Sequence, residues 1–138
     1  IYRNLAKHCR MNSSWSLGKR TSDLASDDDF TTAWVAQEAL DEHYIETVFN
    51  EEQQINAVCF IESTDPLKYP IQDTTRIGSY DIQYFAENEW RDIQVEPTDK
   101  LLRLHRFEPV RASKVRINFH KCMPGLGIAE MMIYNEKR

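Results

Sequence analysis

Ser79-Tyr80-Asp81-Ile82-Gln83-Tyr84-Phe85, then Ala86-Glu87-Asn88-Glu89, then Trp90-Arg91-Asp92-Ile93-Gln94-Val95 is the stretch whose reading decides the fold. Side chains of a strand alternate between its two faces, so Tyr80, Ile82 and Tyr84 share one side. The polar residues 86–89 form a turn, and 90–95 return as a second strand. The unit is a β-hairpin with one face on a core and the other wet.

Outward from this hairpin the same grammar repeats. Towards the C-terminus, 97–100 is a turn, and in 101–107 Leu102 and Leu104 alternate with charges. Residues 108–113 read as another turn. Lys114-Val115-Arg116-Ile117-Asn118-Phe119-His120 alternates cleanly, with Val115, Ile117 and Phe119 inward. Pro124, Gly125 and Gly127 mark a loop, and 128–134 is a closing strand. Towards the N-terminus, 44–49 and 55–61 are rich in β-formers and are separated by the polar turn 50–53. Between 62 and 76, Pro66 and Pro70 exclude helix and central strand. A loop of that length has a job or is flexible. Residues 35–43 fit a helical turn, and 1–20 an irregular lead-in with one short strand. No stretch of a dozen residues keeps helical periodicity. About seven or eight short strands joined by turns make an all-β sandwich or barrel. With no internal repeat and no linker, 1–138 reads as one domain.

The bulk numbers agree. The 138 residues are enough for a sizeable core, and 41% hydrophobic with 28% charged residues indicates neither disorder nor a membrane protein. No apolar run approaches a bilayer span. Seventeen basic residues are interspersed among 22 acidic ones for a net charge of −5, which leaves no basic stripe for nucleic acid. Cys9, Cys59 and Cys122 form no CxxC pair, so structural zinc is not indicated, and at least one thiol lacks an internal partner. Cys59 lies in an apolar run and is expected to be buried; a Cys9–Cys122 bridge stays open. The start at Ile1, without methionine or a visible signal peptide, points to a fragment of a longer protein or to processing.

Chemistry concentrates in Ala25-Ser26-Asp27-Asp28-Asp29-Phe30-Thr31-Thr32-Ala33-Trp34. Clustered carboxylates and hydroxyls suit a hard cation such as calcium. The alternative is a solvated acidic turn leading into Trp34 as a core anchor. Trp15 either covers the core or stands on an exposed loop face. Asn12-Ser13-Ser14 fits a glycosylation acceptor, a pattern too common to carry weight. His8, His43, His105 and His120 form no metal motif, and His105, His120 and Lys68 are solvent-facing by alternation or position. Ser13 and Ser14 lack a strand–elbow–helix context. The carboxylates sit on turns and strand surfaces rather than across a cleft, as glycoside hydrolysis would need. No intrinsic active site is expected.

Several short motifs then fall into a familiar order. They are Asn4-Leu5-Ala6-Lys7 and Asn12-Ser13-Ser14-Trp15, then Ala25, Asp27-Asp28-Asp29 and Thr32-Ala33-Trp34. Tyr44-Ile45-Glu46-Thr47-Val48-Phe49-Asn50 follows, then the hairpin 77–93, Ala112-Ser113-Lys114-Val115-Arg116-Ile117, and Gly127-Ile128-Ala129-Glu130-Met131-Met132-Ile133-Tyr134. In that order they resemble the discoidin-like, coagulation factor 5/8 type C family. That family is grouped with the galactose-binding-like jelly rolls and the family 32 carbohydrate-binding modules. Asp28 stands where the family has Gly, Tyr44 where it has Trp, and Asn50 where it closes on Gly.

The resemblance implies an all-β jelly-roll β-sandwich, galactose-binding domain-like. It also implies a structural calcium held by the side chains of Asp27, Thr32 and Glu130 and the carbonyls of Ala25, Asp29 and Ala129. If the Gly position needs φ > 0, Asp28 must adopt it. The implied ligand face lies on end loops. There Glu62 and Arg76 would clamp vicinal hydroxyls, or form a plain ion pair that pins the loop. Trp15 and Tyr69 would cover the apolar side of a sugar, and Lys68 lies on the same loop. The implied function is a non-catalytic module of a secreted glycoside hydrolase resembling an α-L-fucosidase, binding terminal galactose or fucose. Its partners would be carbohydrate and the parent catalytic domain in the same chain, without nucleic acid or membrane insertion. Its location would be secreted, periplasmic or at the cell surface. The alternative is a structural accessory domain that packs on its parent and has no ligand. The lipid or adhesion role of animal relatives uses hydrophobic spikes and an end-joining disulfide, neither of them clear in this sequence.

Overall fold

The computed structural model describes residues 2–63 and 75–138, so Lys68 and Tyr69 lie outside it. Alternation along the chain builds β1 (Arg10–Ser13), a 3-10 turn at Ser22–Ala25, β2 (Trp34–Val35) and β3 (His43–Glu62). Then come β4 (Ser79–Ala86), β5 (Glu89–Ile93), β6 (Leu102–His120) and β7 (Gly127–Tyr134). Strands neighbour one another in the order β2-β7-β3-β6-β4-β5, with β1 also on β3, and every pairing is antiparallel. The architecture is an all-β jelly-roll sandwich.

The hairpin forms as read. Ile82 pairs with Ile93, and the chain reverses at Glu87 and Asn88, whose φ values of 53° and 64° are those of a type I′ turn. The turns expected at 50–53 and 108–113 are a correction. β3 pairs with β6 from His43↔Phe119 to Val48↔Lys114, slips register, and resumes from Gln53↔Ala112 to Ile61↔Leu102. Two strands therefore bend together around the edge of the sandwich, each contributing to both layers. Their polar middle residues mark an exposed corner, not a chain reversal. The helical turn at 35–43 does not form either. Trp34 and Val35 pair with Ile128 and Gly127, and the residues up to His43 are too few to nucleate helix.

The inner faces meet in a continuous core that includes Ile45, Phe60, Ile82, Ile117, Phe119 and Ile133. Trp34 is fully buried, 6.2 Å from the Phe119 ring, and Phe60 stands edge-on to Phe119 and Tyr80 at 5.8 and 5.3 Å. In the first half of β6 the charged residues, not the leucines, face inward. Leu102 and Leu104 are 59% and 44% exposed, while Arg103 is only 1% exposed. His105 is likewise buried, against the expectation of a solvent-facing residue. Its Nε2 lies 2.8 Å from the Tyr80 hydroxyl, and burial, followed by the Arg103 charge, holds its pKa below the ordinary value. His120 does stay at the surface, its ring 2.7 Å from both Glu42 and Asp81. All three cysteines are free thiols, so Cys9 and Cys122 are not bridged; Cys59 is buried, which pushes its thiol up to about 11.

Candidate functional site

Two regions gather the candidate residues. The first is the seam between the acidic loop and β7. Asp28 takes φ 60°, so the conformation that favours Gly is present, and its carboxylate lies 3.1 Å from Lys7 Nζ. This reversal folds Asp27 back over the loop. Its Oδ1 accepts the Asp29 N–H at 3.0 Å, and its Oδ2 is 2.5 Å from the Thr32 hydroxyl. That hydroxyl also lies 3.0 Å from the Asp29 carbonyl. The Asp29 side chain itself turns outward and accepts from Thr31, which holds its pKa low.

Opposite stands Glu130 of β7. Its partner on β3 is Ile61, whereas the next residue, Glu62, pairs with Ile128. Ala129 is thus the extra residue of a β-bulge, released from the ladder beside Glu130. Glu130 is 1% exposed, and its Oε1 has no hydrogen-bond partner among the described residues. Burial, then the hydrogen bond and charge of Asp27, push its carboxyl up to about 8. Two carboxylates in contact, one with an orphaned buried oxygen, resist joint ionisation unless a cation joins them. Among the described residues no three His, Cys, Asp or Glu side chains converge on one point. The available donors are two carboxylates, a hydroxyl and backbone carbonyls, an all-oxygen set of the kind calcium takes.

The second region is the loop end of the sandwich. Trp15 is 75% exposed there, in contrast to the fully buried Trp34. Its loop is well held. The Gln37 N–H donates to the Trp15 carbonyl at 2.9 Å, and Ser14 N–H to that of Tyr44 at 3.0 Å. Ser14 Oγ is 2.7 Å from His43 Nδ1, while His43 Nε2 lies 3.0 and 3.1 Å from the carbonyls of Gln37 and Leu40. Cys122 N–H donates to the Asp41 carbonyl, and Leu40 and Met123 beside these residues are exposed.

Glu62 and Arg76 lie beneath this end and not on it. Both are buried, and Glu62 accepts the Arg76 backbone N–H at 2.7 Å. The guanidinium that pairs with Glu62 belongs to Arg103, at 3.0 Å, with both side chains 1% exposed. Thr75 donates to Glu62 at 2.5 Å and accepts from Arg103 at 2.9 Å. Arg103 also donates to the Thr98 carbonyl at 3.1 Å and covers the Phe60 and Tyr80 rings at 5.2 and 5.3 Å. Among the described residues the carboxylate is thus held by the Arg76 N–H, Thr75 and Arg103.

A sequence model of the F5/8 type C domain matches residues 9–132. The chain belongs to that family. Solved structures agree on the fold. Chitosan-binding module 1 of a Paenibacillus sp. IK-5 chitosanase/glucanase, as the V110M mutant, superposes with a TM-score of 0.83 at 20% identity, covering 98% of this chain and 100% of the module. The family 32 carbohydrate-binding module of C. perfringens NanJ, solved with galactose, gives 0.79 at 14% identity over 98% and 100%. A Ruminococcus gnavus GH29 fucosidase gives 0.78 at 21% identity, covering 99% of this chain but only 27% of that one. No curated protein matches the chain.

In this F5/8 type C domain the cation set predicted from the motif order is brought to one seam for Asp27, Thr32 and Glu130, with Ala129 at the bulge beside them. Arg103 and His43 escaped sequence reasoning. A charged residue in an alternating strand signals solvent unless its buried partner is known, and Glu62 lies far away in sequence.

Proposed function

We propose that this F5/8 type C domain is a non-catalytic carbohydrate-binding module that takes a sugar at its loop end, with Trp15 as the stacking face. The observation that carries the reading is Trp15 itself. It is a tryptophan three-quarters exposed on a loop pinned by backbone and histidine hydrogen bonds, which holds a flat apolar face ready for a ring to stack on. Family membership and a shared fold with modules solved with galactose and chitotriose support it. In this reading the parent protein is an extracellular glycoside hydrolase, fucosidase-like by analogy with the longer chains that contain the fold. A calcium ion completes the seam, with Asp27, Thr32, Glu130 and the carbonyls of Ala25, Asp29 and Ala129 as its ligands, and serves a structural role. The test is titration of a galactose, fucose and glucosamine panel against wild type and Trp15→Ala. Binding that disappears in the variant supports the assignment, and silence from every sugar with wild type overturns it.

One observation favours a second reading, a packing domain without a ligand. Leu102 and Leu104 stand exposed on one face of β6. Binding of sugars by the isolated domain decides between the two.

A further inference from the structure

We propose that His120 is a pH-operated latch on the segment that braces Trp15, closed when its ring is an imidazolium and open when the ring is neutral. The latch stands on the geometry of one junction, and its effect on affinity rests on the carbohydrate reading above. The His120 ring lies 2.7 Å from Glu42 through Nδ1 and 2.7 Å from Asp81 through Nε2. Two carboxylates need two N–H donors, and only the imidazolium has both. A neutral ring keeps one donor and turns a lone pair towards the other carboxylate. The arm that lets go is Glu42. Asp81 is fixed in β4 and accepts from Asn118 Nδ2 at 2.8 Å, whereas Glu42 stands on the irregular segment 36–42 with its side chain 59% exposed.

The junction is sensitive to that arm. The second oxygen of Glu42 accepts the Lys121 N–H at 2.8 Å, and Lys121 holds φ 53°, a left-handed conformation costly for a residue with a side chain. From the other side Gly78 packs so closely that a Cβ on it would stand 2.6 Å from Lys121 Cβ, and its N–H donates to the His120 carbonyl at 3.0 Å. The titratable groups gathered here are Asp81 from β4, Glu42 and Asp41 from segment 36–42, and Lys121 and Cys122 after β6. Hydrogen bonds to Asp81, then Glu42, hold the ring's pKa above the ordinary 6.5, so the latch is closed in mild acid and opens as pH rises through the raised value. Glu42 adjoins His43, and from there the path to Trp15 is short. His43 Nδ1 meets Ser14 Oγ at 2.7 Å, its Nε2 donates to the carbonyls of Gln37 and Leu40, and the Gln37 N–H donates to the Trp15 carbonyl. Opening the latch therefore loosens the segment against which the Trp15 loop is held.

The experiment follows the His120 ring and the Trp15 indole N–H by NMR from about pH 5 to 9, with the indole signal assigned by its loss in Trp15→Phe. In wild type the indole signal is expected to move with the His120 midpoint. Glu42→Gln is expected to leave His120 titrating against Asp81 while uncoupling the indole. His43 is unchanged in that variant, so any response of Trp15 to His43 persists there and is told apart. Across the same range wild-type affinity for galactose is expected to fall about three- to fivefold on the alkaline side, and to stay level in His120→Gln. An indole signal that ignores the His120 titration, a response that survives Glu42→Gln, or a wild-type affinity that stays level across the transition overturns the proposal and leaves sugar binding at Trp15 standing. Indole coupling without binding of any sugar upholds the latch and removes the carbohydrate reading.

Discussion

Two single residues anchor the proposed sites, and their surroundings are opposite. Trp15 is three-quarters exposed, whereas Glu130 is almost fully buried. Truncating Trp15 to Ala should abolish sugar binding while leaving the thermal midpoint within about 1–2 °C, since little buried area is lost. Calorimetric titration and a melting curve on one preparation check both halves. At the seam, added calcium should raise the melting temperature, with about 2.7 kcal/mol of stabilisation at a hundredfold excess over Kd. Glu130→Gln should erase that response, because the neutral amide no longer draws the cation towards Asp27. A variant that still responds fully to calcium would place the ion elsewhere. Glu62 differs in kind. Its carboxylate compensates a guanidinium sealed in the core, so Glu62→Ala should cost roughly 3–5 kcal/mol in a denaturant titration.

At the level of elements, the β4–β5 hairpin was legible because each local signal agreed, from alternation to turn residues to the β-branched and aromatic content. Its one compromise is the turn, where Glu87 and Asn88 both hold positive φ without glycine. Asn88→Gly should therefore raise stability by about 0.5–1 kcal/mol, read from the denaturation midpoint. The long strands β3 and β6 were not legible as such, because Asn50-Glu51-Glu52 and Glu108-Pro109 carry the composition of a reversal yet only mark a corner. Periodicity also failed at Arg103 and His105. Both face inward because their partners, Glu62 and Tyr80, are buried and lie far away in sequence. Asp27 and Glu130 were legible through motif order and not through spacing, since no local rule links a loop to a strand so distant. His120 joins two elements, the loop before β3 and β4. Hydrogen bonds that its ring donates to Asp81, then Glu42, raise its pKa above 6.5. The folded state thus binds this proton more tightly than the unfolded chain does. The stability it contributes is complete below pH 6.5 and fades as pH rises through the raised value. His120→Gln should flatten that part of a pH–stability profile, and an unchanged slope would show the bridge to be inert.

Across the whole molecule, binding and architecture occupy different places. The loop that holds Trp15 stands apart from the seam at which Asp27 of an early loop meets Glu130 of the last strand, and the core between them is shared. The sheet arrangement has a mechanical corollary. Because the front and back layers are halves of the same two bent strands, prising them apart means tearing those strands and not merely unzipping an interface. Backbone amides on both sides of the sandwich should then exchange with deuterium in one concerted opening, so that a tug applied at the loop end loads the entire domain at once and no single sheet peels first.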